Sequence, residues 1–225
     1  MSTLVYINSN DGLAKNAMEA VTYGKKLGGD VNVVTTGGAD EATLSSLGEY
    51  GASKVMVDRS VTSNDPGQIA NVVKAAAEAT GATTIVFSHD FVAKAAAPRV
   101  SVKLKAGLVS GAIDVPEGNK VKVNVFSGKA FGYVEVNTDT KIISLLPNSF
   151  QPEAGGSACS VEEFNGEIIG STVVVDQDRS IINALAAWLD YLDFHIKIAI
   201  RWHHSHILRL HAVGQKKKKQ PKQAF

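Results

Sequence analysis

Short apolar runs alternate with amphipathic stretches through the first ninety residues, and this alternation constrains the fold more than any other feature. The apolar runs are TLVYIN (3–8), VNVVTT (31–36), KVMVD (54–58) and TTIVFS (83–88). Continuous Val- and Ile-rich runs, in which apolar and polar residues do not alternate strictly, are typical of parallel strands that are covered on both faces. The sequence therefore predicts an α/β fold with a largely parallel sheet and helices on both faces.

Capping residues indicate where two of the helices begin and end. Asp65 and Pro66 suit the cap and first turn of a helix that Gly81 ends. Asp90 suits the cap of the next helix, which we expect to be disturbed around Pro98. We assign Asp90 to capping and not to acid or base chemistry.

The pattern changes after the fourth apolar run. Four strand-like segments follow one another closely, namely LVSGAIDV, KVKVNVFSG, AFGYVEVNT and KIISLLP. Such spacing permits hairpins, and residues 116–119 have the chemistry of a tight turn. We therefore expect the sheet to finish with antiparallel strands, within one α/β domain that covers residues 1–150.

The segment FSGKA, at residues 126–130, has some features of a phosphate-binding loop. That loop needs a glycine five positions before Gly128 and a hydroxyl residue directly after Lys129. Val123 and Ala130 occupy these positions. The segment therefore fails the motif at both ends.

Three later segments follow one another in the order APRVSVKLKAGLVSGAIDV (97–115), VFSGKAFGYVEV (125–136) and KIISLLPNSF (141–150). Together they resemble the amino-terminal domain of the electron transfer flavoprotein alpha subunit, and this resemblance implies a nucleotide-hydrolase-like fold. The resemblance covers residues 1 to about 165. It implies that FSGKA is a sheet segment, in which Gly128 relieves a bulge or a close backbone approach.

The resemblance also implies a function. The family's alpha and beta subunits form a heterodimer that carries FAD. The heterodimer passes electrons from dehydrogenases, such as acyl-CoA dehydrogenases, to a membrane quinone oxidoreductase, and so acts as an electron carrier and not as a catalyst. Most FAD contacts in the family come from a second alpha-subunit domain, whose motifs are missing here. We therefore expect no FAD binding by this chain alone.

We expect the partner or the cofactor domain to lie near six residues: Pro98, Arg99, Gly107, Ser110, Gly128 and Lys129. Arg99 and Lys103 share a helical face, which suits an interface, an anion site or simple solvation. We identify no catalytic constellation. Gly37 and Gly38 lack the spacing of a dinucleotide loop, and we interpret them as a turn.

The charge distribution separates the end of the chain from the rest. Residues 1–177 carry fourteen Lys/Arg against nineteen Asp/Glu, and residues 178–225 carry nine against three. We expect a linker or a final strand at 151–177. For residues 178–225 we expect an atypical basic tail, an amphipathic helix followed by disorder. This tail is either a frameshift product or a genuine divergent end.

Two groups of residues in the tail suggest ligands. The histidines are His203, His204, His206 and His211, without Cys, Asp or Glu beside them, so we expect no metal site. The run Lys216–Lys219 suits a solvated segment better than a site for nucleic acid or anionic lipid.

Composition and the absence of long apolar runs argue against a disulfide-rich, secreted or membrane-spanning protein. Cys159 is the single cysteine, so a disulfide framework is excluded. Residues 1–10 have no recognisable leader, and no apolar run is long enough to span a membrane, so the expected location is cytoplasmic. The alternatives to an electron transfer role are a universal-stress-type nucleotide-binding module and an inactive truncated fragment. The first would need a glycine-rich phosphate loop, which is absent before residue 150.

Overall fold

The Val/Ile-rich runs form the strands of one sheet. A computed structural model of the chain describes residues 2–10 and 12–166, and the predicted tail lies outside the described residues. The strands are β1 Ser2–Asn8, β2 Asp30–Thr36, β3 Lys54–Asp58, β4 Thr84–Ser88, β5 Gly107–Ala112, β6 Lys120–Val125, β7 Ala130–Glu135, β8 Lys141–Leu145 and β9 Ser160–Glu163. The helices are α1 Lys15–Leu27, α2 Glu41–Ser45, α3 Pro66–Thr80 and α4 Phe91–Leu104, and a 3₁₀ segment covers Ser46–Tyr50.

The sheet has the strand order β7-β6-β5-β8-β4-β1-β2-β3-β9. β6 runs antiparallel to both of its neighbours, β5 and β7. The other pairings are parallel. The prediction of a largely parallel sheet with antiparallel strands is therefore confirmed.

One strand from the closely spaced group lies elsewhere in the sheet. β8 does not extend the antiparallel edge but inserts between β4 and β5, parallel to both. Its residues Ile142, Ile143 and Leu145 are at most 2% exposed, so both faces of the strand are covered. A strand that is apolar on both faces needs this central position.

Helices cover both faces, as predicted. Along β1, Val5 belongs to a core cluster with residues of α1 and α2, whereas Tyr6 belongs to a cluster with residues of α3 and α4. Successive side chains of a strand point to opposite faces, so the central strand contributes to both core layers.

The predicted caps are present. The Asp65 carboxylate accepts a hydrogen bond from the Gly67 amide at the start of α3, and Gly81 ends this helix in the left-handed conformation. α4 runs through Pro98 without a break. Pro98 is exposed, so water can satisfy the carbonyl group that loses its helical donor.

The connection from β8 to β9 crosses the outside of α1. The buried Glu19 carboxylate accepts a hydrogen bond from the Asn148 amide (2.9 Å), and the Thr22 hydroxyl accepts one from the Glu153 amide (3.2 Å). Phe150 packs edge-on against Tyr23, with ring centroids 4.9 Å apart. These contacts fix the crossing, which delivers β9 to the far edge of the sheet.

The same connection then packs closely against the 3₁₀ segment. The amides of Gly155 and Gly156 both donate to the Glu49 carbonyl at 2.9 Å, and the Cys159 amide donates to the Ser45 carbonyl at 3.1 Å. Gly48 allows this approach, since a Cβ atom there would lie 2.3 Å from the Ser157 carbonyl oxygen.

We predict that Gly48→Ala lowers the free energy of unfolding by about 1–3 kcal/mol, because the added methyl group overpacks a backbone contact. Gly38→Ala is the matched control, since a Cβ atom at Gly38 would meet open space, with nothing to contact within 4 Å. Urea unfolding followed by circular dichroism measures both. Equal midpoints for the two variants would show that the crossing connection is not held at Gly48.

Candidate interaction surface

β6 and β7 form a hairpin at one edge of the sheet. Six residue pairs join the strands, from Lys120–Glu135 at the open end to Val125–Ala130 beside the turn. β7 is the outermost strand on this side. One backbone edge of β7 therefore has no neighbouring strand among the residues that the structure describes.

The turn of this hairpin is conformationally strained. Phe126 and Ser127 have φ angles of 51° and 56°, and Gly128 has a φ of 82°. A left-handed conformation costs roughly 1–2 kcal/mol for a residue with a Cβ atom. Phe126 is nevertheless 80% exposed, so burial of its ring does not offset this cost.

The interpretation of FSGKA as a sheet segment needs correction at its centre. Phe126–Lys129 is the hairpin turn, and only Ala130 belongs to a strand. Gly128 relieves neither a bulge nor a close approach, because its Cβ position is open and the residue only adopts a left-handed turn conformation. The bulge lies at Gly111 instead, where the register between β5 and β8 shifts.

The two faces of the hairpin differ. Val121 and Val123 point inward and belong to the core cluster on the α1 side. On the opposite face, Phe131 and Tyr133 are each 60% exposed, and the Lys122 ammonium lies 4.7 Å from the Phe131 ring centroid. We call this outward surface the hairpin face; it consists of Lys120, Lys122, Asn124, Phe131, Tyr133 and Glu135.

Exposed aromatic side chains on an open edge strand are characteristic of an interaction surface. Tyrosine and phenylalanine bury large areas when a partner binds, and charged residues commonly form the rim. Isolated edge strands usually carry charges or prolines that discourage pairing. β7 instead exposes Phe131, Tyr133 and Val134, with Glu135 as its single charged residue.

The residues predicted for an interface occupy several elements. Pro98 and Arg99 are exposed on α4, and the Arg99 guanidinium donates to the Ala95 carbonyl at 2.7 Å. Ser110 is exposed on β5, which is adjacent to β6 in the sheet. Lys129 is exposed in the hairpin turn.

Gly107 has a clear structural role at the start of β5. A Cβ atom there would lie 2.7 Å from Cγ1 of Val136 and 2.8 Å from Oγ1 of Thr138. The Gly107 amide also donates to this Thr138 oxygen at 2.8 Å. Glycine at this position therefore lets the connection from β7 to β8 pass closely.

The aromatic residues of the hairpin face are not among those predicted from the sequence. Their signal is the order of residues in AFGYVEV, where Phe131 and Tyr133 alternate with glycine and valine in a segment close to a turn. Alternation alone does not say which face is covered. The covered face depends on where the helices lie. α4 packs against β1, β4, β5 and β8, so it lies over strands other than the hairpin strands that carry Phe131 and Tyr133.

The carboxyl ends of the parallel strands are where α/β sheets usually bind nucleotides. Here aspartate side chains cap three of the four described helices: Asp40 on α2, Asp65 on α3 and Asp90 on α4. These carboxylates occupy the amide groups that would hold a pyrophosphate and add negative charge there. The Asn10 side chain also fills the space beside Gly37. At these three helices the caps therefore disfavour a pyrophosphate, whereas α1 begins after Ala14 without a side-chain cap.

His89 and Asp90 contact different partners. The His89 Nδ1 atom lies 2.8 Å from the Ser144 hydroxyl, while the Asp90 carboxylate accepts from the Ala93 amide and the Ser88 hydroxyl. Burial and the charge of Lys94 lower the pKa of His89, and Asp90 offsets this only in part. The capping role predicted for Asp90 is confirmed.

The single cysteine has surroundings that indicate a structural role and not a reactive one. Burial raises the pKa of the Cys159 thiol, which lies 3.5 Å from the Ser45 carbonyl oxygen, so the thiolate is disfavoured.

Within residues 2–10 and 12–166, no cluster of three His, Cys, Asp or Glu side chains suits a metal ion. The tail histidines and lysines lie outside this part. No described helix is both long and apolar enough to cross a membrane.

Comparisons with known proteins agree on one family. A family model described as the electron transfer flavoprotein domain matches residues 3–169. The chain is 31% identical over 150 residues to the electron transfer flavoprotein subunit alpha of Bacillus subtilis (strain 168), covering 63% of this chain and 46% of that protein. It is 30% identical over 152 residues to the corresponding subunit of Syntrophomonas wolfei, with coverages of 64% and 48%.

A third relative is the probable electron transfer flavoprotein subunit alpha, mitochondrial, of Caenorhabditis elegans. Identity is 26% over 165 residues, covering 72% of this chain and 50% of the relative. The chain thus spans about half the length of the curated relatives that it matches.

We predict that the stability of the chain falls as the pH decreases below 6.5. The folded-state pKa of His89 lies below its ordinary value of 6.5, so protonation favours the unfolded chain, and the stability is fully present above that pH. Urea unfolding at about pH 7.5 and about pH 5.5 measures the difference in the free energy of unfolding between the two pH values. The His89→Gln variant should show a smaller difference than the parent chain. An unchanged pH dependence in this variant, or an NMR titration that gives His89 a pKa above 6.5, would contradict the prediction.

Proposed function

The chain belongs to the electron transfer flavoprotein family, and on that basis we propose that it acts as an alpha-type subunit in a heterodimer with a beta-type subunit. Three curated relatives are named as alpha subunits, which supports this assignment. The proposed role is that of an electron carrier and not of a catalyst.

The hairpin face is the observation that carries the proposed pairing. Two aromatic rings, each 60% exposed, lie beside an open strand edge. A beta-type subunit that covers these rings would remove apolar area from water and could add backbone hydrogen bonds along β7. The residues predicted for the interface from sequence extend this surface in our proposal: Pro98, Arg99, Gly107, Ser110, Gly128 and Lys129.

We assign the flavin to the assembly and not to this chain. Three of the four described helices carry aspartate caps that disfavour a pyrophosphate, which supports placing the contacts with FAD outside the described residues. The described domain then contributes a docking surface, which is how a subunit can serve electron transfer without holding the cofactor itself.

The wider electron path in our proposal follows the family. Dehydrogenases, such as acyl-CoA dehydrogenases, supply electrons to the heterodimer, and a quinone oxidoreductase accepts them. We propose a cytoplasmic location for this carrier, without direct binding of nucleic acid. The match of residues 3–169 to the family model supports the domain type on which this path depends.

We predict that Phe131→Ser combined with Tyr133→Ser weakens association with a beta-type subunit from the same organism by at least about tenfold, because buried aromatic residues dominate binding energy at interfaces. Isothermal titration calorimetry with the full chain measures the affinity. Both side chains are mostly exposed, so the variant should fold like the parent chain.

Phe91→Ser is the control for this experiment. Phe91 is 90% exposed at the start of α4, so the substitution removes an exposed aromatic ring that is not on the hairpin face. Equal loss of affinity in both variants would reject the assigned surface, while no association of the parent chain would reject the pairing itself.

We also predict that the chain alone does not bind FAD at micromolar concentrations. The carboxylates of Asp40, Asp65 and Asp90 each occupy an amide at the start of a helix and add negative charge where a pyrophosphate would bind. Flavin fluorescence, followed while the chain is added to FAD, measures binding. Stoichiometric micromolar binding without a partner would contradict this prediction.

A further inference from the structure

A pocket of about 340 Å³ lies at the amino-terminal edge of the sheet, at the opposite end of the parallel strands from the aspartate caps. It lies between the end of α1 and the loop from β5 to β6. Pockets for small molecules typically measure about 300–1,000 Å³, so this one suits a small ligand. The hairpin face contributes only to the neighbouring surface, because Val121, which lines the pocket, points to the other side of β6.

Three polar side chains form a row on the floor of the pocket. Thr3 on β1 is the register partner of Thr84 on β4, which is the partner of Lys141 on β8. All three are on the α1 side of the sheet, because residues two positions further along, such as Val5 and Ile143, belong to the core cluster of that side. Neighbouring strands are about 4.8 Å apart, so the row offers two hydroxyl groups and an ammonium group side by side.

The hydrogen bonds of this row are incomplete. The Lys141 ammonium donates to Oδ1 of Asn119 at 2.6 Å, which uses one of its three N–H groups. With its oxygen accepting, the Asn119 amide still has two N–H donors available. Within the described part of the chain, the hydroxyl groups of Thr3 and Thr84 have no hydrogen-bond partner. A positive charge and several free donors therefore converge on one side of the pocket.

The remaining walls are apolar and set limits on the ligand. They are formed by Leu27, Val115, Pro116, Val121 and Ile143. The carboxyl end of α1 closes the pocket at Leu27 and Gly28, and Lys25 and Lys26 in that turn offset the partial negative charge of its carbonyl groups. With one ammonium group in the row and apolar walls, the pocket suits a ligand with a single acidic group on the Lys141 side better than one with several charges, such as a nucleotide.

We propose that this pocket binds a small monocarboxylic acid with an apolar body. The carboxylate accepts hydrogen bonds from the Lys141 ammonium, the Asn119 amide and the Thr84 hydroxyl, and the hydrocarbon part lies against Leu27 and Val121. Charge-assisted hydrogen bonds of this kind are the strong ones, and the apolar walls add burial of the hydrocarbon part. The inference does not depend on the proposed subunit pairing.

Titration of the full chain with hexanoate, followed by ¹H–¹⁵N correlation spectra, tests the proposal. We expect saturable shifts at the amides of Gly28, Asn119, Val121 and Lys141, with millimolar affinity. Hexanamide has the same body without the charge and should bind at least about tenfold more weakly. Equal shifts with the amide, shifts confined to other regions, or no saturable shift with hexanoate would overturn the proposal.

Substitutions distinguish binding of hexanoate in the pocket from a general effect of the protein's charge on the ligand. Lys141→Met keeps the length of the side chain and should weaken hexanoate binding by at least about tenfold, while Lys74→Met, on α3 at the opposite face of the sheet, should not change it. Thr84→Val is a nearly isosteric second test and should also weaken binding. Undiminished affinity in a folded Lys141→Met or Thr84→Val variant would refute the assigned floor of the pocket.

Discussion

Burial of β1 on both faces is the constraint on which the rest of this fold depends. Leu4, Val5, Tyr6 and Ile7 are all 0% exposed, and the strand pairs with β2 on one side and β4 on the other. A strand without a solvent face requires helices above and below it. The two core layers, and the end of the sheet at which each helix begins, follow from this central strand.

The two edges of the sheet differ in the side chains that they expose. β9 covers β3 at one edge, where Lys54 pairs with Glu162 at 3.2 Å and Arg59 pairs with Glu163 at 2.7 Å. These ion pairs are partly exposed and contribute little to stability. The other edge ends in β7, with exposed aromatic rings and a strained turn. This asymmetry is the reason why we propose the partner at the β7 edge.

The sequence predicted those elements that depend on neighbours along the chain. The parallel strands, the caps at Asp65 and Asp90 and the antiparallel hairpins all have local signals, and the structure has each of them. The insertion of β8 between β4 and β5 has no local signal in the sequence. It depends on β4 and β5 lying far enough apart in the sheet to pair with a strand between them. The polar row of the pocket likewise exists only because three strands, distant in sequence, start side by side.

Hydrogen–deuterium exchange of the full chain, with and without a beta-type electron transfer flavoprotein subunit, tests the central claim most directly. A partner on the hairpin face slows exchange of amides whose strand edge was open to water. We expect added protection concentrated in residues 120–135 and little change in α1 or α2. Protection centred on α1 and α2, with residues 120–135 unchanged, would contradict the proposed pairing.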